Sequence, residues 1–120
     1  MLVDLPIWTK FIESHPESHI LQDGKWGQLK SSFGWKAVRI ICNNAGAQIL
    51  FRSLPLGFSI AYIPKGPVEI NEDLLSEIDK VCEENKAVFI KVEPFGWAGE
   101  EKWRGLENKG FVPADPIQPF

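Results

Sequence analysis

Between Trp35 and Val92 the apolar residues change their spacing in an order that dictates how the chain must fold. From Trp35 to Cys42 they alternate, with Val38, Ile40 and Cys42 on one side. A period of two marks a strand with two unlike faces. Asn43-Asn44-Ala45-Gly46 is a turn cluster, Ala47 to Leu54 a second strand, Pro55-Leu56-Gly57 a turn and Phe58 to Ile63 a third strand. Turns this short predict an antiparallel meander. The period then moves to 3.6. Leu74, Leu75, Ile78, Val81 and Cys82 form one helical stripe, opened by Asn71 as N-cap and closed at Glu83-Glu84-Asn85. Glu72 and Asp73 suit the positive end of that helix. Ala87 to Val92 follows as a nearly continuous apolar run, the pattern of a strand covered on both faces. The β–α–β passage predicts parallel pairing with the third strand, or a near-central position.

Helices flank this block. Leu5 to Ser14 places Ile7, Trp8, Phe11 and Ile12 on one face, with Asp4 as N-cap, Pro6 in the first turn and His15-Pro16 as the stop. A second, short helix runs from Asp23 or Gly24 towards Gly34. On it Trp26 and Lys30 share a face, and Leu29 and Phe33 share another. Glu100 to Asn108 reads as a last helix with Trp103 and Leu106 inward, Gly110 closes it, and Phe111-Val112 begins a further strand. The three prolines of residues 113–120 are linker grammar. The order α-α-β-β-β-α-β-α defines an α/β (α+β) domain, a mixed sheet flanked by helices over residues 1–112, followed by a proline-rich linker at 113–120.

Composition narrows the function classes. With 44% hydrophobic and 24% charged residues, a chain of 120 residues builds its core without metal or disulfide staples. The net charge of −3 gives no overall positive field towards nucleic acid or anionic lipid and leaves only local basic patches open. Cys42 and Cys82 sit in apolar runs and read as core thiols of a reducing compartment. No zinc spacing and no glycine-rich phosphate loop is present. No apolar run approaches the roughly 20 residues of a membrane span, so a cytoplasmic location is expected. His15 and His19 read as exposed loop residues rather than catalytic bases, and no catalytic constellation is legible from spacing.

Four positions remain as candidate binding residues, each with a plain alternative. Lys30 is a solvated helix lysine or a ligand. Trp26 is core or the wall of a cleft. Lys65 lies in a loop just past a strand end, where ligand clefts of open sheets lie or where any turn lysine would sit. Glu93 is a carboxylate at the end of the apolar strand, before Pro94. Trp8, Trp35 and Trp103 read as core, and Trp97 as a loop residue beyond a strand end.

Taken together, the motifs resemble a known family. Gln22-Asp23-Gly24-Lys25-Trp26-Gly27-Gln28-Leu29-Lys30 with Phe33-Gly34-Trp35 resembles the Q-x3-W-x3-K…GW signature of FemA/FemB/FemX proteins. Tyr62-Ile63-Pro64-Lys65-Gly66-Pro67 resembles their Y-x-P-[RK]-G-P block. Phe89-Ile90-Lys91-Val92-Glu93-Pro94 resembles their strand ending in an acid and a proline. Gly110-Phe111 with Ile117-Gln118-Pro119 resembles the passage into their second subdomain.

The resemblance implies a GNAT-like (acyl-CoA N-acyltransferase-like) fold and transfer of an amino acid from aminoacyl-tRNA to the peptidoglycan stem peptide, building the interpeptide bridge of the cell wall. It implies a UDP-muramyl pentapeptide or its lipid-linked form as acceptor. Lys30 would then contact the acceptor diphosphate, Trp26 would shape the same wall, Glu93 would lie in the acceptor cleft, and Lys65 would stand near by motif. It implies no cofactor, metal or catalytic residue within this chain. The family continues into a second half carrying the donor side. The chain therefore reads as an acceptor-side half, whose exposed docking face would meet a partner chain or a second copy. Two other readings stand beside it: a non-catalytic binding module of the same fold, and a CoA-dependent N-acetyltransferase. The second is disfavoured because Pro64 and Pro67 remove backbone donors from the strand-to-helix passage where a pyrophosphate would bind.

Overall fold

The computed structural model describes residues 2–16, 22–64 and 66–93. Its five strands, β1 (Leu2–Val3), β2 (Trp35–Cys42), β3 (Ala45–Ser53), β4 (Ser59–Ile63) and β5 (Ala87–Val92), lie side by side in chain order. Three helices accompany them: α1 (Leu5–Glu13), α2 (Gly24–Ser31) and α3 (Glu72–Glu84). The first four strands pair antiparallel, and β5 joins β4 in parallel. Parallel neighbours need a crossover, and α3 supplies it.

The caps are those the residues dictate. Asp4 accepts from the Ile7 N–H at 3.1 Å, Asp23 from the Lys25 N–H at 2.8 Å and Asn71 from the Leu74 N–H at 2.7 Å. Asn71 also donates to the Cys42 carbonyl at 2.9 Å, tying the start of α3 to the end of β2.

The two faces of the sheet differ. Lys36, Val38, Ile40 and Cys42 stand opposite Phe51, Ile49, Ala47 and Ala45, and this apolar face packs on Leu74, Ile78 and Val81 of α3. Trp35, Ala37, Arg39 and Ile41 stand opposite Arg52, Leu50, Gln48 and Gly46 on the other face. Only its far end carries an apolar cluster, where Trp8 and Phe11 of α1 pack with Val68. α2 covers the β2–β3 part of that face through polar contacts.

Several expectations are corrected. The β2–β3 turn is two residues long, because Asn43 (φ 48°) and Asn44 (φ 68°) both adopt the left-handed conformation a tight hairpin needs, and Ala45 and Gly46 already belong to β3. β1 was not expected. His15 is buried, 6% exposed, because its ring folds back over Phe11 (centroids 4.2 Å apart) with Nδ1 2.7 Å from the Phe11 carbonyl. Ile7 falls outside the α1 contact face and is exposed, and Trp35 is half-buried rather than core. β5 pairs in parallel as read, but it is the outermost described strand, with Val88 and Phe89 exposed where a bulge shifts its register against β4. The expected helix at 100–108, with Trp97, Trp103, His19, Lys65 and the linker, lies outside the described residues.

Candidate functional site

Helix α2 has no apolar stripe to hold it down, and it is held by close approach and hydrogen bonds instead. A Cβ on Gly27 would stand 2.3 Å from Gln48 Oε1, so the helix backbone lies directly on the β3 side chain. Arg39 Nε donates to Gln48 Oε1 at 2.9 Å, Arg39 Nη2 to the Gly24 carbonyl at 3.3 Å and Gln48 Nε2 to the Asp23 carbonyl at 2.9 Å. Burial pushes the Arg39 pKa down from its ordinary value, the cost of taking a guanidinium out of water.

Gln22, completely buried just before α2, ties three segments together. Its Nε2 donates to the Pro64 carbonyl at 2.9 Å and to the Gln48 carbonyl at 3.2 Å, and its Oε1 accepts from the Gln48 N–H at 2.9 Å. Its own carbonyl accepts from Trp8 Nε1 at 2.8 Å. A Cβ on Gly66 would fall 2.7 Å from Gln22 Cδ, which requires glycine there. The loop after β4 is thus clamped to the start of α2, and its Val68 exchanges backbone bonds with Gly46 at 2.8 and 2.9 Å.

With α2 seated this way, Trp26 and Lys30 come together as the sequence predicts. The Lys30 ammonium lies 5.1 Å from the centre of the Trp26 ring, a cation–π contact. Glu93 comes from a different element but lies on the same side of the sheet. Its N–H donates to the Ile63 carbonyl at 3.0 Å, continuing the parallel ladder, and its Oε1 accepts from the Tyr62 hydroxyl. Tyr62 pairs with Leu50, which places it on the face of Gln48 and Arg39. The Tyr62 ring tilts towards Trp35 at 6.4 Å, and Arg52 lies 5.7 Å over Trp35. Lys30, five residues before Trp35, stands towards the β2-start end of this face, and Glu93, just past the finish of β5, is level with the middle of β2 and β3.

Two buried side-chain atoms have no hydrogen-bond partner among the described residues: Trp26 Nε1 and Glu93 Oε2. A buried donor or acceptor left unpaired costs about 1–3 kcal/mol. One is a donor and the other a carboxylate acceptor, and both belong to residues singled out from the sequence. Gln22 and Tyr62 were quoted there only as members of motifs. The signal that would have found them is a polar residue inside each block that must be satisfied once the block is buried.

Away from this face, a shallow depression of about 490 Å³ lies where the β2–β3 turn meets the start of α3, edged by Asp73 and Glu77. Asn43 donates to Asp73 at 2.7 Å there. No cluster of three or more potential metal ligands occurs among the described residues. No helix there is long and apolar enough to cross a membrane.

The mixed sheet with α3 on one face and α1 and α2 on the other is a GNAT-like architecture. A crystal structure of a probable acetyltransferase superposes with a TM-score of 0.54 at 14% identity, covering 97% of this chain and 86% of that one. The chain belongs to the FemAB family, whose model matches residues 7–109. It is 32% identical to a lipid II:glycine glycyltransferase of Staphylococcus epidermidis over 84% of its length, and 34% identical to that of Staphylococcus aureus over 91%. It spans 28% and 31% of the length of those two relatives.

Proposed function

We propose that this chain forms the acceptor-binding side of a peptidoglycan bridge-forming aminoacyltransferase. The precursor lies across the α2 face of the sheet, with its diphosphate at Lys30 and the acceptor amine of its stem peptide at Glu93. The observation that carries this reading is the pair of unpartnered buried atoms, Trp26 Nε1 and Glu93 Oε2, on that one face. A phosphate or sugar oxygen satisfies an indole N–H, and an ammonium satisfies a carboxylate oxygen. The Tyr62 hydroxyl fixes Glu93 Oε1 and so aims Oε2. The names of the Staphylococcus relatives, which act on lipid II, favour a lipid-linked acceptor.

Residues 1–112 make the acceptor-side subdomain in this reading, 113–120 link it onward, and the aminoacyl-tRNA donor is handled by the part of such enzymes that this chain does not span. Lys65 belongs to the same reading through the loop that Gln22 clamps at Pro64 and Gly66.

An acetyl-CoA function is less well supported. In the loop after β4, Pro64 and Pro67 have no N–H to offer, the Val68 N–H is bound to Gly46, and Asn71 already caps α3. The test is calorimetry with a soluble, short-chain lipid-linked muramyl pentapeptide. Lys30→Ala is expected to weaken binding about tenfold, the scale of one charge-assisted phosphate contact. Unchanged affinity overturns the assignment.

A further inference from the structure

One end of the sheet gathers most of the large apolar side chains that the described residues leave in water. Register places the start of β2, the finish of β3 and the starts of β4 and β5 at this end. The Lys36–Asn85 contact at 3.0 Å brings the C-terminal end of α3 there as well. Phe33 is 69% exposed, Leu56 91%, and Leu54, Phe58, Val88 and Phe89 all exceed a third. These are six of the nine exposed large hydrophobic residues described, and they come from separate segments.

Leu56 is the extreme case. It tops the β3–β4 connection with φ 68°, in the left-handed region that leucine disfavours, and its side chain touches almost nothing. Neither burial within the fold nor turn geometry accounts for leucine there, since glycine or asparagine would serve the turn better.

The charge at this end has the opposite sign to that of the whole chain. Among the described residues there, Lys30, Lys36, Arg52 and Lys86 outnumber Glu83 and Glu84, although the chain carries a net −3. Apolar tips ringed by cations are what an anionic bilayer surface takes up: the tips enter the acyl boundary and the ammonium and guanidinium groups meet headgroup phosphates.

We propose that this end of the molecule docks on an anionic lipid surface, with Leu56 and Phe58 as the inserting tips and Arg52 and Lys86 among the phosphate contacts. The inference deepens the acceptor reading and rests on it in one respect. Lys30 stands at the docking end and Glu93 is level with the middle of β2 and β3, so a membrane-anchored precursor would offer its diphosphate at the lipid surface and its amine farther out.

The experiment is co-sedimentation of the chain with vesicles free of any precursor, so that its outcome is independent of acceptor binding. Vesicles of phosphatidylglycerol and phosphatidylcholine are expected to bind the chain, and binding is expected to fall at high salt. Leu56→Gly removes a tip and relieves its backbone, and is expected to lower partitioning about tenfold while leaving the melting temperature unchanged or raised. Arg52→Glu with Lys86→Glu is expected to abolish the preference for anionic vesicles. Absence of binding to these vesicles overturns the proposal, as does Leu56→Gly binding like the parent. Sedimentation that instead reveals a dimer dissolved by Leu56→Gly, without vesicle binding, also overturns it and assigns the patch to a second copy.

Discussion

Gln22 carries more of the site's geometry than any charged residue in it. Its carboxamide is satisfied by Pro64 and by both the N–H and the carbonyl of Gln48. Two sequence blocks therefore meet through one side chain, with Gln22 and Pro64 42 positions apart. Gly27 shows the same logic at the backbone. On an exposed helix Gly→Ala stabilises by about 1 kcal/mol. Here the added Cβ would meet Gln48 Oε1 at 2.3 Å, so Gly27→Ala is expected to destabilise, and a gain in urea midpoint would contradict the seating of α2. Cys82 offers a pH test. Burial, then the Asp79 carboxylate, pushes its pKa up to about 11, so the fold keeps it neutral while an unfolded thiol ionises near about 8.5. The folded state holds its proton longer. Stability from this group is thus complete below about pH 8.5 and is lost as pH rises towards about 11. Alkylation at pH 8 is expected to be roughly a hundredfold slower than in urea-unfolded chain, and equal rates would refute the burial.

Among the elements, the two hairpin connections make opposite use of left-handed backbone. Asn43 and Asn44 are residues that tolerate it, and they close β2 on β3 at little cost. Leu56 is not such a residue. Leu56→Gly is expected to stabilise the fold by about 1 kcal/mol in thermal or urea unfolding, because the strain goes and little buried surface goes with it. Destabilisation would mean that the Leu56 side chain packs in solution. The helices also divide. α3 matches its stripe to the sheet and was legible from the 3.6 period alone. α2 was legible from Asp23 and Gly34, but what holds it was not, since its contacts are side-chain amides and a guanidinium whose partners come from strands.

At the scale of the whole molecule, the described residues give the sheet an apolar helix on one side and a polar network on the other. Ile78→Ala, in the core, is expected to cost about 2–5 kcal/mol, whereas Phe33→Ala, at an exposed position before β2, should stay within about 0.5 kcal/mol. Similar losses at both sites in denaturant titrations would show Phe33 to be packed. The sequence by itself determined four of the five described strands, the crossover helix, the α/β class and the family, and it offered parallel pairing as one of two readings of β5, because hydrophobic period, caps and motif strings are local properties. It also singled out Trp26, Lys30 and Glu93. It could not tell that Glu93 accepts from Tyr62 on the face that carries Arg39 and Gln48, that His15 is buried, or that β5 is the outermost described strand with exposed apolar side chains. Those depend on which strands become neighbours and in what register, and register is decided by contacts between residues far apart in the chain. The unpartnered indole N–H and carboxylate oxygen belong to the same class of fact: a polar atom lacks a partner only once everything around it is in place.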